Sequence, residues 1–198
     1  MIFTQRINDA IKLASHLHRN QVRLDSQRTP YSSHLFSVAM ILSEITEDED
    51  VVIAGLMHDS LEDVPNYRYE NLVHDCGGRV AEIVKHVTEP LDADKRDDDQ
   101  LPWLERKESY LLNLREGGIE SALVSAADKI HNTESLIGDR KKEGDEFLKR
   151  FHSSSENKIW FNKEVYAILV EKLGKDHVLV LRFSQLIREL ENLLKNSN

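Results

Sequence analysis

The chain has 198 residues, 40% of them hydrophobic and 31% charged, with only 8 glycines and 4 prolines. A chain of this length can bury a substantial core as one domain, and so few breakers favour helices over a turn-rich sandwich or barrel. The formal net charge of −9 would repel a nucleic-acid backbone, which sets nucleic acid aside as a partner. A small anionic substrate stays compatible, because a metal ion and a few nearby cations can dominate the field inside a pocket.

In chain order, Ile2, Phe3, Ile7, Ala10, Ile11 and Ala14 recur at helical spacing and predict an amphipathic helix over residues 3–20, not a signal peptide. Pro30 forces a break, and Ser32 or Ser33 is positioned to cap a second helix whose apolar positions are Leu35, Val38, Ala39, Ile41, Leu42 and Ile45. The acidic run 46–50 leads into a helix over 50–61 that is apolar nearly all round, from Val51 to Met57, and this is expected to be the central helix of the fold. Pro65 ends it. A short helix over 67–75 stops at Gly77 and Gly78, and another covers 79–87. The aspartate-rich segment 92–100 reads as a solvated loop. Helices over 103–115 and 119–136 follow, separated by Gly117 and Gly118. Residues 138–158 read as a long polar loop, with Arg140, Lys141 and Lys142 on a solvated face or in a lid over an anionic substrate. Helices over 159–173 and 176–194 complete an all-α bundle. The whole chain, 1–198, reads as one domain, with its chemistry within about the first 140 residues.

The lone cysteine, Cys76, reads as a structural thiol in a reducing compartment. No apolar run approaches the roughly 20 residues that span a bilayer. The expectation is a cytoplasmic protein without a membrane partner. A homodimer is compatible with this reading.

The sharpest feature is His58-Asp59-Ser60-Leu61-Glu62-Asp63, at the end of the most apolar helix. Two acids and a His-Asp pair beside a core are costly unless something pairs with them, and a metal ion would do so. If the helix continues, His58 stacks over Glu62 and Asp59 over Asp63, one turn apart. One turn then holds an ion while the next presents carboxylates to its water. His34, early in the second helix, and Asp128, between Ala126-Ala127 and Ile130, complete two imidazoles and two carboxylates. That mixed set suits an octahedral Mn²⁺, Fe²⁺ or similar ion with open positions, and Zn²⁺ more often takes fewer ligands. Alone, His34 would be an ordinary satisfied histidine and Asp128 a surface acid. His16, His18, His74, His86, His152 and His177 read as ordinary histidines, and His131 is assigned no role.

The segments Thr29-Pro30-Tyr31-Ser32-Ser33-His34, Gly55-Leu56-Met57-His58-Asp59-Ser60-Leu61-Glu62-Asp63, Leu101-Pro102-Trp103-Leu104-Glu105-Arg106-Lys107 and Ala127-Asp128-Lys129-Ile130-His131-Asn132, in this order, resemble the HD-domain phosphohydrolases. They resemble most the hydrolase domain of the RelA/SpoT-type enzymes and the small stand-alone guanosine polyphosphate hydrolases. The resemblance implies an all-α HD fold holding one Mn²⁺, or Fe²⁺, Mg²⁺ or Zn²⁺ in its place, through His34, His58, Asp59 and Asp128. It implies that Glu62 and Asp63 orient and activate the attacking water, that Arg23 lies against the base, and that Lys107, Lys129 and Asn132 line the pocket. The implied reaction releases the 3′-pyrophosphate of guanosine tetra- or pentaphosphate. Three positions depart from the family pattern: Leu24 replaces a second basic residue, Trp103 a smaller or charged one, and Ser32-Ser33 a bulkier pair. The departures at Leu24 and Trp103 motivate one alternative, an HD phosphohydrolase acting on a nucleoside monophosphate or the 2′-phosphate of NADPH. A non-catalytic nucleotide sensor is another, and the intact His34, His58, Asp59, Glu62, Asp63 and Asp128 argue against it.

Overall fold

The computed structural model describes residues 3–89, 102–144, 147, 150 and 154–195. Among these residues the regular structure is helical, with one isolated antiparallel bridge between Val22 and Pro30. The expected all-α bundle is the observed architecture. The acidic loop expected over 92–100 lies outside the described residues.

Helix α1 (Gln5–Leu17) opens with Thr4 accepting the Ile7 amide and buries Ile7, Ala10 and Ala14. Helix α2 (Ser32–Ser43) carries no side-chain cap. The expected serine cap is replaced by a turn in which the carbonyls of Pro30 and Tyr31 take the Ser33 and His34 amides. Helix α3 (Glu49–Met57) is capped by Asp48, which accepts from Asp50, and every residue from Val51 to Met57 is buried. It packs against α1, α2, α6 (Gly78–Lys85) and α8 (Ile119–Glu143), as a helix apolar all round must. A Cβ on Gly55 would fall on the Cδ1 of Leu42, so the glycine sets how closely α2 and α3 approach.

The helix expected over 50–61 does not run through. It stops at Met57, and a single short turn, α4 (Ser60–Asp63), follows. Asp59 has φ −91° and ψ −2°, the sparsely populated region common at active sites. At the break the imidazole Nδ1 of His58 sits 2.8 Å from the Gly55 carbonyl, the acceptor that a continuing helix offers to the next turn.

Helix α5 (Tyr69–Cys76) ends at Gly77, whose φ of +95° lets the chain turn sharply into α6. Helix α7 (Trp103–Glu116) ends at Gly117, where the reason for glycine is space: an added Cβ would lie 2.8 Å from His86 Cβ and 2.9 Å from Ser121 Cβ. Neither atom can rotate away. Gly117→Ala is therefore expected to overpack this junction and destabilise the fold by about 1–3 kcal/mol, read as a lower urea midpoint at unchanged slope.

Helix α8 is longer than expected. It passes through Gly138, where an added Cβ would meet nothing, and ends only at Gly144, whose φ is +73°. Residues 138–143 are thus helix, not loop. Arg140, Lys141 and Lys142 sit in its last turn, where cations offset the helix dipole, and Lys141 pairs with Glu189 at 2.6 Å. This basic run is part of a helix end and not a lid. Ser154 caps α9 (Ser155–Leu173) by accepting the Asn157 amide, so that helix begins before residue 159. Helix α9 and α10 (Val178–Lys195) pack on α8 and on each other. Among the described residues no helix is long and apolar enough to cross a membrane.

Candidate metal centre and active site

Helices α2, α3 and α8 pack on one another, and their polar residues meet where the three contacts converge. His34 comes from the first turn of α2, His58 and Asp59 from the break after α3, and Asp128 from the middle of α8. All but Asp59 are buried, and Asp59 nearly so. His34 Nε2 lies 3.1 Å from His58 Nε2. The Asp59 Oδ2 lies 3.4 Å from His34 Nε2 and 3.1 Å from His58 Nε2. Asp128 Oδ1 lies 3.3 Å and 3.6 Å from the same two nitrogens. One ligand atom each of His34, His58 and Asp59 falls within 4.8 Å of the others.

Both imidazoles are held by their far nitrogens. His58 Nδ1 is 2.8 Å from the Gly55 carbonyl, which can only accept, so Nδ1 donates there and Nε2 faces the cluster. His34 Nδ1 is 2.8 Å from His131 Nδ1, so His131 orients a site residue, a role the sequence did not reveal. The two Nε2 atoms lie 3.1 Å apart beside two carboxylates, and unprotonated nitrogens at that distance repel one another unless a cation, a proton or a metal ion, lies between them. This donor set fits a divalent ion.

The electrostatics are those of a cation site. Burial works against ionisation of Asp59, but the His58 charge and hydrogen bonds from His34 and His58 hold it well below the usual carboxylate range. Burial likewise opposes Asp128, and Lys129 at 2.7 Å and the two imidazoles hold it low. His58 is pushed above its ordinary value despite burial, chiefly by Asp59 and Asp128. Glu62 and Asp63 behave oppositely. Burial, then the charges of Glu89, Asp59 and Asp63, pushes Glu62 up to about 8. Burial and then Asp59 push Asp63 up to about 6. The break after α3 places these two acids on α4, and the stacking expected of a continuous helix does not apply. Asp63 and Glu62 donate their amides to the Asp59 carbonyl, at 2.8 and 3.2 Å, in the tight turn.

A cavity of about 420 Å³ adjoins the cluster, and all four expected pocket residues, Arg23, Lys107, Lys129 and Asn132, line it. Trp103, Phe161 and Phe147 add aromatic walls, and Leu24 and Asp139 lie at the same cavity. Both amide atoms of Asn132 are already engaged, Nδ2 donating to Asp128 at 2.5 Å and Oδ1 accepting from Arg23 at 2.9 Å, which leaves one hydrogen and one lone pair for a ligand. Lys107 bonds the buried Glu89, with Arg106 3.4 Å from the same carboxylate, while the Glu89 amide donates to Glu62 at 3.2 Å. Glu89 thus joins a pocket cation to a candidate base. Nothing in its local sequence marks it, because its partners lie on α4 and α7. Tyr31 donates to Asp59 Oδ2 at 2.8 Å. Burial and then the Asp59 charge push its phenol upward, so it stays a donor. His18, expected to be ordinary, is buried, stacks on Tyr31 at 5.4 Å and meets Gln21 at 2.5 Å.

The HD domain family model matches residues 10–157, three quarters of the chain and every residue of the cluster. The chain belongs to the HD domain family. This HD protein is 37% identical over 131 residues to the guanosine-3′,5′-bis(diphosphate) 3′-pyrophosphohydrolase MESH1 of Danio rerio, covering 65% of this chain and 67% of that protein. It is 29% identical over 180 residues to the bifunctional (p)ppGpp synthase/hydrolase SpoT of Escherichia coli K12, covering 88% of this chain but 22% of that one. Its fold matches a solved metazoan SpoT ortholog, described as hydrolysing ppGpp, with a TM-score of 0.76 at 25% identity over 98% of this chain and 99% of that one. A Listeria monocytogenes protein, lmo0812, matches with a TM-score of 0.67 at 26% identity, over 81% of this chain and 97% of that one.

Proposed function

We propose that this HD protein is a metal-dependent phosphohydrolase that removes the 3′-pyrophosphate of guanosine 3′,5′-bis(diphosphate). The observation that carries the reaction class is the convergence of two imidazole Nε2 atoms and two carboxylate oxygens beside a cavity lined by cations. The substrate follows from the MESH1 relatives, whose names carry that activity. His34, His58, Asp59 and Asp128 would hold the ion, with Mn²⁺ favoured for a mixed nitrogen and oxygen set. A divalent ion there supplies Lewis-acid polarisation of a phosphoryl oxygen and acidifies a nearby water.

The chain's own groups supply the rest. One of Glu62 and Asp63 accepts the proton of the attacking water. Burial beside the neighbouring acids raises both carboxyls, and a dication held by Asp59 would offset that rise and leave them ionised to act as bases. Arg23 lies against the nucleotide base, and Lys107 offsets charge on the phosphoryl oxygens. Lys129 and Asn132 face the cavity while bonded to Asp128, which fixes their positions. We read residues 1–198 as one unit in which α9 supplies Phe161 to the cavity wall and α10 supports α8.

Incubating the purified protein with Mn²⁺ and guanosine 3′,5′-bis(diphosphate) is expected to release pyrophosphate, followed by a coupled colour assay. Leu24 and Trp103, at the cavity wall, support a second reading with another nucleotide. Mn²⁺ binding without pyrophosphate release, together with phosphate release from NADPH or a nucleoside monophosphate, would select it. A protein that binds Mn²⁺ and turns over none of these would be the non-catalytic sensor.

A further inference from the structure

Two candidate ligands of the ion are linked through a residue that faces the cavity. Asp128 Oδ1 accepts from Asn132, Asn132 Oδ1 accepts from Arg23, and the Arg23 guanidinium lies 5.6 Å from the centre of the Tyr31 ring. Tyr31 closes the circuit by donating its phenolic hydrogen to Asp59 Oδ2 at 2.8 Å. The ring itself is fixed by more than this bond. It stacks on His18 at 5.4 Å and 16°, and meets His34 edge-on at 5.6 Å. Tyr31 also lines the cavity. Its two ends therefore serve different partners, the hydroxyl a carboxylate of the cluster and the ring face the guanidinium on the substrate side.

We propose that Tyr31 is a positioning residue that ties the metal ligand Asp59 to the substrate-facing Arg23, with its hydroxyl serving metal affinity and its ring serving substrate affinity. The inference rests on the functional reading above for the roles of Asp59 and Arg23. A hydrogen-bonded partner behind a ligand fixes the ligand's rotamer, and losing such a partner weakens metal binding by roughly 10- to 100-fold. An arginine against an aromatic face is stabilised by about 0.5–1 kcal/mol at a partly exposed site, or about two- to fivefold in affinity. The two contributions separate because the hydroxyl can be removed without the ring.

The test compares Tyr31→Phe and Tyr31→Leu with the unmodified protein. Mn²⁺ affinity is measured without nucleotide, from the electron paramagnetic resonance signal of free Mn²⁺. The KM and kcat for guanosine 3′,5′-bis(diphosphate) are measured at saturating Mn²⁺. Tyr31→Phe is expected to bind Mn²⁺ about 10- to 100-fold more weakly with KM within about twofold of the unmodified protein. Tyr31→Leu is expected to show the same metal defect and a KM raised a further two- to fivefold or so. Should Tyr31→Leu lack the native circular dichroism spectrum, Tyr31→Met takes its place. Wild-type Mn²⁺ affinity in Tyr31→Phe, or equal KM in the Phe and Leu variants, overturns the inference while the functional reading stands. An unmodified protein that takes up no Mn²⁺ defeats the functional reading first and the inference with it.

Discussion

Asp59→Ala is expected to abolish Mn²⁺ binding and pyrophosphate release together. Asp59 Oδ2 is the oxygen that both Nε2 atoms approach, at 3.4 and 3.1 Å, and it is held ionised in spite of burial. Removing it leaves two buried imidazoles and one carboxylate that Lys129 already neutralises at 2.7 Å. The net attraction for a dication then falls, and Tyr31 loses its acceptor. The loss of affinity should exceed the roughly 100-fold that follows the loss of a supporting partner, so that calorimetric titration at micromolar protein detects no binding. The fold should survive, since Asp59 lies outside α3 and the core around Val51–Met57 is untouched. A variant that folds, binds Mn²⁺ at wild-type affinity and keeps its turnover would remove Asp59 from the metal site.

Glu62→Gln is expected to separate metal binding from turnover. The amide keeps the shape of the carboxylate and still accepts the Glu89 amide hydrogen, but it cannot take a proton from water. General-base contributions are typically 10²- to 10⁴-fold, so kcat should fall within that range while Mn²⁺ affinity changes little. Undiminished kcat would take Glu62 out of the mechanism and leave Asp63 as the base.

The same variant has a signature in stability. In metal-free protein, burial and the neighbouring charges raise Glu62 to about 8. The folded state therefore keeps a proton that the unfolded chain releases near its ordinary value. Stability contributed by Glu62 is present below that ordinary value and is lost as pH rises toward 8. Glutamine does not titrate. Without metal, Glu62→Gln should therefore gain stability relative to the unmodified protein as pH climbs from about 5 to 8, read from urea midpoints with chelator present. A difference that is flat with pH would show that Glu62 ionises normally in the folded protein.

The HD family model covers the part of the chain that builds the cluster, and the structural match covers 98% of the chain and so extends into α9 and α10. Those last helices matter to the site through the cavity: Phe161 of α9 lies 4.8 Å from the Lys107 ammonium and 5.4 Å from that of Lys129. Substitution of Phe161 therefore touches both pocket cations from a segment that carries none of the motif residues.

What the sequence by itself determined were the features encoded by local pattern. The apolar run Val51–Met57 marks the central helix because a helix apolar all round has to be surrounded. His58 and Asp59 stand out because they follow an apolar helix at a cost that needs a compensating partner, whereas His34 and Asp128 stand out only as members of a set with them. What only the tertiary structure decided were the relations across the chain. Gly138 and Gly144 look alike as letters, yet only Gly144 adopts a positive φ and ends α8. The break at His58 follows from the imidazole bonding to Gly55 and converging on His34, and helical periodicity carries no sign of it. Glu89, Tyr31 and His131 acquire their places from partners on other helices. Asn132 is engaged at both ends by Arg23, 109 residues away, and by Asp128, one turn back. Local pattern fixes which face of a helix is apolar, whereas the partner of a polar group is fixed by packing of helices far apart in the chain.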